Sequence, residues 1–437
     1  MVTPFYDLNR WIEAVEKENK VNDLSLVISR LKSFVKKANE LDLGHLSINR
    51  AIPTLSGGEL QRLRLVQVFN TQLSDLLIIL DEPLAGLSGD DRESVYDNII
   101  SLSEKHTLLI VDHHKSFLSK AKTIIALGEK SGKNGGFLIN AQKYFDSQKI
   151  KYNYTKNKIY KTFSILLDND VYSYNGVSIS IAENCKNLIL GKSGVGKTTV
   201  LREYFPQFFE HYTYINQKPL LGNKDSYVAT LLDVFNKIAD GYAKKFKKDK
   251  KFFSNLTGNE GACPLCRGAG FIEYGNDYNL AKIECHECEG TGFNENLKKF
   301  CLNGKSIFDI WKMTIDEAII FYSEIDKKLA DILSEASALL LGHLTIGQPT
   351  ATLSGGENIR IKMLKATTTT SLIYGIDEPF RGLGVTEIYY VIQYLDKLTQ
   401  KGKTIIVADH EEESFKFFSN IIMLENREGK LLGKPYH

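Results

Sequence analysis

Short runs of apolar residues, each ending in a polar or glycine-rich turn, punctuate the chain. They are DLLIILDEP at Leu76–Leu80, TLLIVDHH before His113, NLILG before Gly191, LIYGIDEP before Asp377 and TIIVADH before His410. Continuous Leu, Ile and Val runs flanked by helical patterns read as strands buried on both faces of a parallel sheet, so the pattern predicts an α/β chain. The pattern also repeats. LGHLSINRAIPTLSGGELQRLRL (Leu43–Leu65) recurs 298 residues later as LGHLTIGQPTATLSGGENIRIKM (Leu341–Met363). After each copy comes a strand ending in Asp-Glu-Pro, then a second strand ending in an acid and a histidine, so three features recur in one order.

The repeats are unequal. Only the second is preceded by GKSGVGKTT, in which Gly191, Gly196, Lys197 and Thr198 fit G-x-x-x-x-G-K-[ST], with Gly194 and Thr199 in the same loop and helix start. A glycine-rich loop between a buried strand and a helix lets backbone amides approach phosphates. Lys197 then reaches the β and γ oxygens and Thr198 ligates Mg²⁺. Asp377, at a strand end, is placed to hold the Mg²⁺ shell, Glu378 to take a proton from an attacking water, and His410 to contact the γ-phosphate. Gln217, after the strand that follows the loop, is a candidate sensor of Mg²⁺ or water. Each LSGGE places a serine and glycines at a helix N-terminus suited to a γ-phosphate: Ser56, Gly57, Gly58 and Glu59 in the first copy, Ser354, Gly355, Gly356 and Glu357 in the second. A change of composition near 145–160, where Gly, Asn and Lys gather, divides the chain into 1–150 and 151–437.

Cys263-x₂-Cys266, then eighteen residues, then Cys285-x₂-Cys288 fits a tetrahedral structural Zn²⁺ site, in a module of about 255–297 that precedes a signature region of about 298–370. His286, inside the second knuckle, reads as a solvated turn residue rather than a substitute ligand, and Cys185 and Cys301 as ordinary buried thiols. Just upstream, AKKFKKDKKFF (Ala243–Phe253) packs six lysines among aromatics, which reads either as a solvated helix face or as a patch suited to phosphate contacts and base stacking.

Composition adds boundaries. With 437 residues, 43% hydrophobic and 25% charged, the chain falls in the range of folded domains rather than fibres or disordered tails. Lys+Arg 55 against Asp+Glu 53 leaves a net charge of +2, so any nucleic-acid affinity has to come from local patches. The N-terminal sequence has no basic segment followed by an apolar one, and no apolar run approaches a bilayer span. The expectation is a cytoplasmic protein with no membrane association and reduced or metal-bound thiols.

Taken together, GKSGVGKT, YINQKPL, the paired TLSGGE, LDEPLAGL and IDEPFRGL, the strand-end histidines and CPLC…CHEC resemble the ATP-binding cassette superfamily, and within it the bacterial excinuclease A (UvrA) family. The resemblance covers nearly all of the chain. It implies P-loop NTPase folds with helical signature regions and a small zinc insertion, in which ATP is sandwiched between the phosphate loop of one cassette and the LSGGE of the other. One composite site then pairs Gly191–Thr198, Gln217, Asp377, Glu378 and His410 with Ser56, Gly57, Gly58 and Glu59. The other has Asp81, Glu82 and His113 facing Ser354, Gly355, Gly356 and Glu357, and its phosphate loop is missing. The expectation is a chain that starts inside the first cassette and lacks the family's first zinc module, UvrB-contacting domain and insertion domain.

Either a second polypeptide supplies the missing half, or a single site works and the other is vestigial. The first is favoured because the orphan half retains its acids, histidine and LSGGE; a homodimer is the other assembly. Zinc and the lysine patch lie where the resembling family binds DNA. The implied function is therefore an ATPase, with ATP, Mg²⁺ and Zn²⁺, coupled to double-stranded DNA in repair or defence. The alternative is an ATP-gated clamp on a protein or small molecule, as in antibiotic protection or regulation, without DNA.

Overall fold

The structure is a computed structural model and describes residues 4–18, 25–52, 55, 57–70, 73–84, 87, 89–112, 115–128, 136–147, 154, 156–169, 174–192, 194–216, 226–275, 281–367, 370–427 and 430–435. Residues 5–102 enclose one hydrophobic core. Helices Phe5–Glu18, Ser25–Glu40 and Gly57–Phe69 contribute Ile12, Val35, Leu65 and Val66, which meet Ile78 and Leu80 of strand β1 (Leu77–Asp81) and Val95 and Ile99 of helix Gly89–Ser101. β1 pairs in parallel with β2 (Thr107–Val111), from Leu77 opposite Thr107 to Asp81 opposite Val111. A separate antiparallel pair follows, β3 (Ala126–Leu127) with β4 (Leu138–Ile139).

The second half is built on a six-stranded sheet. β5 (Thr162–Asn169) and β6 (Tyr174–Ala182) form an antiparallel hairpin, followed by β7 (Lys186–Leu190) and β8 (Tyr212–Ile215). An insertion then carries the hairpin β9 (Phe271–Tyr274) and β10 (Ala281–Glu284), the short pair β11 (Cys301–Leu302) and β12 (Lys305–Ser306), and helices Ile307–Lys312, Ile315–Tyr322 and Lys327–Ala338. The chain returns through helix Gly355–Thr367 to β13 (Ile373–Asp377), helix Val385–Gln400, β14 (Thr404–Ala408), β15 (Asn420–Arg427) and β16 (Lys430–Pro435). The sheet order is β16-β15-β7-β14-β13-β8, parallel apart from β16.

Helix Val385–Gln400 lies on one face because Ile388, Val391, Ile392, Leu395 and Leu398 recur at helical spacing. On the other face the helical segment 197–208 contributes Val200, Leu201, Tyr204 and Phe205, and the β5–β6 hairpin contributes Ile165, Ile179 and Ile181. Layers on both sides explain why β7, β13 and β14 are buried at every position, as their unbroken apolar runs predict.

In the first half that prediction fails. β1 and β2 alternate, with Ile78 and Leu80 buried while Leu77, Ile79, Leu109 and Val111 face outward. Among the described residues this parallel pair has a helical layer on one face only, so half of each apolar run has nothing to pack against.

Candidate functional site

Gly191 directly follows β7, and the loop turns back on itself through residues that a side chain would not allow. Gly194 and Gly196 hold φ of 75° and 102°, and a Cβ at Gly191 would lie 2.6 Å from the Leu424 carbonyl oxygen. The helical segment starts at Lys197. Its ammonium is buried and donates to the carbonyls of Gly191 at 2.6 Å and Lys192 at 3.0 Å. Burial pulls its pKa down, opposed by the charges of Glu378, Asp377 and Asp409.

Parallel pairing of β7, β14 and β13 brings their C-terminal ends to this loop, the edge at which open α/β sheets bind ligands. Thr198 donates its hydroxyl to Asp377 Oδ2 at 2.9 Å, and the Tyr214 hydroxyl donates to the same oxygen at 3.1 Å. Burial raises the Asp377 carboxyl, and the bonds from Thr198 and Tyr214 together with Lys197 oppose that. A hard divalent cation takes oxygen ligands, and the Thr198 hydroxyl beside the Asp377 carboxylate is a donor set that fits Mg²⁺.

Glu378 has φ 49° and donates its backbone N–H to Ala408 at 2.8 Å. Its carboxylate lies 4.0 Å from His410 Nε2 and 3.9 Å from the Arg381 guanidinium. Burial, with the positive charges of Lys197 and Arg92, holds His410 down at about 3, so the ring is neutral. Asp409, buried behind it, accepts backbone N–H bonds from Phe380, His410 and Glu411.

The first half repeats the strand-end geometry. Asp81 ends β1, and Glu82 has φ 45° with its N–H donated to Val111 at 2.9 Å, matching Glu378. Its carboxylate lies against Gly382 of the second half, close enough that a Cβ there would push it aside. In the other direction, a Cβ at Gly194 would meet the His45 ring at 3.3 Å, so the segment preceding the first LSGGE lies against the phosphate loop.

His45 Nε2 is 2.9 Å from Glu59 Oε1, and His343 repeats the pair with Glu357 at 2.8 Å. The Ser354 hydroxyl accepts from the Glu357 N–H, and Glu357 Oε2 accepts from the Ser354 N–H, a capping box. Burial alone would raise Glu357, yet His343 and Ser354 hold it at about 2. Gly355 and Gly356 open that helix, as Gly57 and Gly58 open helix Gly57–Phe69. Ser56, His113 and Gln217 lie outside the described residues.

His45, His343 and Tyr214 were not singled out from the sequence. LGH, fourteen residues ahead of each glutamate in both copies, carried the signal for the histidines. Nothing comparable marked Tyr214.

In the insertion, the sulfurs of Cys263, Cys266, Cys285 and Cys288 all lie within 4.8 Å of one another. Cys263 and Cys285 are 3.9 Å apart and Cys266 and Cys288 3.6 Å, close to the spacing of about 3.8 Å that tetrahedral Zn–S bonds of about 2.3 Å require. Gly270 and Gly292 donate N–H bonds to Cys266 and Cys288 at 3.2 and 3.3 Å. Burial pushes the Cys263 thiol up to about 11, so four thiolates in this space call for a cation. Four sulfurs fill a tetrahedron and leave no open position, which fits a structural Zn²⁺. His286 is exposed and outside the cluster, Cys185 is buried, and Cys301 is half-buried.

The lysine patch divides in two. Lys244, Lys245, Lys247, Lys248 and Lys251 are exposed, whereas Phe246, Phe252 and Phe253 pack edge-on against Phe300 and one another. The charges are on the surface, and the rings belong to the interior rather than to a stacking platform.

No protein-family profile matches the chain. Among curated proteins it is similar to UvrABC system protein A of Aquifex aeolicus, 29% identical over 98% of this chain and 51% of that one. It is similar to the Borreliella burgdorferi protein of the same name, 29% identical over 91% and 47%. The chain thus spans about half the length of the curated relatives it matches. Among solved structures, UvrA2 from Deinococcus radiodurans superposes with a TM-score of 0.86 over 97% of this chain and 58% of that one, at 22% identity. An archaeal ABCE1 bound with Pelota to the ribosome superposes at 0.53, with 16% identity, over 100% of this chain and 62% of its own. At these identities the structural likeness is one of fold.

Proposed function

For a chain related over nearly its whole length to UvrABC system protein A, in a P-loop NTPase fold, we propose an ATPase of the cassette type whose turnover is coupled to duplex DNA. The observation that carries this is one constellation. Lys197, Thr198, Asp377, Glu378 and His410 meet at one sheet edge, and His45 from the other half closes on Gly194.

In this reading the Lys197 ammonium leaves the loop carbonyls for phosphate oxygens, and the amides of Gly191–Thr198 cradle the β-phosphate. Thr198 and Asp377 would hold a Mg²⁺ ion, which when bound would supply neutralisation of the phosphate charge. Glu378 takes the proton of the attacking water. Neutral His410 stands beside it to donate a hydrogen bond to the γ-phosphate without competing for that proton. Ser56, Gly57 and Gly58, at a positive helix end, complete the pocket, with Glu59 held by His45. The four cysteines hold a structural zinc. The halves divide into 1–150 and 151–437, and a phosphate loop from outside these residues faces Ser354–Glu357.

The exposed lysines of 244–251 are the surface offered to DNA phosphates. No helix among the described residues is long and apolar enough to cross a membrane.

The test is steady-state ATP hydrolysis by the chain and by Lys197→Ala, with and without duplex DNA at two salt concentrations. Turnover that needs Lys197 and rises with DNA, less so at higher salt, supports the reading. Turnover indifferent to DNA favours a clamp on a protein or small molecule.

A further inference from the structure

The carboxylate that fits Mg²⁺ together with Thr198 has a second hydroxyl donor, and that donor stands on a neighbouring strand. β8 runs parallel to β13 at the edge of the sheet, with Tyr212 opposite Ile373 and Tyr214 opposite Gly375. Side chains alternate along a strand, so Tyr212 and Tyr214 share one face with Ile373, Gly375 and Asp377. Each tyrosine leans toward the residue two places further along β13. The Tyr212 hydroxyl lies over Gly375, where a Cβ would collide with it, and donates to the Leu201 carbonyl at 2.6 Å, in the helical segment after the phosphate loop. The Tyr214 hydroxyl reaches Asp377 Oδ2 at 3.1 Å.

Two hydroxyls thus converge on one carboxylate oxygen, and they are not equivalent. Thr198 donates to Asp377 Oδ2 at 2.9 Å, but its own oxygen is one that a hard divalent cation would take. It also follows Lys197, whose ammonium is bound to the carbonyls of Gly191 and Lys192 and has to leave them for phosphate oxygens, so the loop is the side of the site that rearranges. Tyr214 stands on the sheet side. Its strand is paired along β13, and just past the strand end Lys362 donates to the Asn216 carbonyl at 3.1 Å and to the Asn216 side-chain oxygen at 2.6 Å. Asp377 is only 5% exposed, so little water can take the place of a lost donor, and a buried carboxylate short of a hydrogen bond is costly.

We propose that Tyr214 is a positioning residue for the Mg²⁺ site: its hydroxyl fixes the Asp377 carboxylate from the sheet side, so that nucleotide and Mg²⁺ are bound together. The inference deepens the ATPase reading and rests on it. A ligand held by a hydrogen bond from outside the coordination sphere is oriented before the ion arrives, and losing such a partner typically costs about 10–100-fold in metal affinity.

The test is equilibrium binding of the non-hydrolysable analogue AMP-PNP, by calorimetry, to the full chain and to Tyr214→Phe, each in excess Mg²⁺ and in EDTA. Phenylalanine keeps the ring and removes one hydroxyl. The expected result is binding about tenfold weaker in Mg²⁺ for Tyr214→Phe, with binding in EDTA within about twofold of the parent. Mn²⁺ affinity in the presence of AMP-PNP, read from the electron paramagnetic resonance of the free ion, should fall by a similar factor. Tyr212→Phe removes a hydroxyl from the same strand face without touching Asp377, and should leave the ratio of the Mg²⁺ and EDTA affinities as in the parent. Unchanged binding by Tyr214→Phe in Mg²⁺, an equal loss with and without Mg²⁺, or the same shift in Tyr212→Phe overturns the proposal. A parent chain that binds AMP-PNP in neither condition overturns the ATPase reading and this inference with it. Mg²⁺-dependent binding by the parent that Tyr214→Phe matches overturns only the role of Tyr214.

Discussion

Glu82 and Glu378 both hold a left-handed backbone that costs a non-glycine residue about 1–3 kcal/mol. That two matched glutamates share it points to a conformation kept for what the carboxylate does. Glu378→Gln should lower hydrolysis about 10²–10⁴-fold with ATP binding retained, whereas Glu378→Gly should lose hydrolysis equally without lowering the melting temperature. Turnover assays beside thermal unfolding check both.

His410 gives a pH prediction. Its folded-state pKa is held near 3 by burial and by Lys197 and Arg92, below the usual 6.5, so between these values the unfolded chain binds more protons. Stability contributed by the neutral ring is present above about 6.5 and lost as pH falls, by up to about 1.4 kcal/mol per pH unit. Denaturant unfolding of His410→Gln should decline less than that of the parent between pH 6.5 and 4.5. At this scale the phosphate loop was legible because glycine spacing and Lys-Thr encode a local backbone geometry. His45 was harder to read, since its approach to Gly194 is made by folding and not by neighbours in sequence.

Among the elements, the thiolate knuckles were read from spacing because each C-x₂-C turn is local and the β9–β10 hairpin supplies the return. The insertion packs its cysteines into the same core as Tyr227, Phe293 and Trp311, with the Tyr227 hydroxyl donating to the Gly268 carbonyl at 3.1 Å. Losing the metal should therefore loosen the base of the second signature region as well as the knuckles. Cys285→Ser should abolish stoichiometric zinc, measured by elemental analysis, and lower the unfolding free energy by several kcal/mol. Chelation should reproduce the effect in the parent chain. The strands tell the opposite lesson. An unbroken apolar run signals burial on two faces, but it does not say whose atoms cover them, so β1 and β2 read the same as β13 and β14 and differ in the folded chain. The phenylalanines among the lysines misled for a related reason: alternation with charge looks like a stacking surface until Phe300, 47 residues beyond Phe253, is folded against them.

For the molecule as a whole, two halves of unequal completeness face one another, with His45 against Gly194 in one direction and Glu82 against Gly382 in the other. The sequence repeat disclosed that there are two halves and which features each retains. Their apposition was available only through resemblance, because a repeat carries no information about how its copies meet. If DNA binds along the exposed lysines, neutralising Lys244, Lys245, Lys247 and Lys248 together should lower duplex affinity and flatten its salt dependence by about 0.9 log unit for each phosphate left without its lysine. A salt titration of duplex binding checks it.

The central claim is that the phosphate loop at Lys197 works with the first half's LSGGE. The direct measurement compares single-turnover ATP hydrolysis by Ser56→Arg and Ser354→Arg in the otherwise unchanged chain. The account predicts a loss of about 10²-fold or more for Ser56→Arg, since a charged side chain displaces a donor from the transition state, and nearly unchanged turnover for Ser354→Arg. The reverse pattern would contradict it and would mean that Lys197 is served by the second half's signature in another copy of the protein.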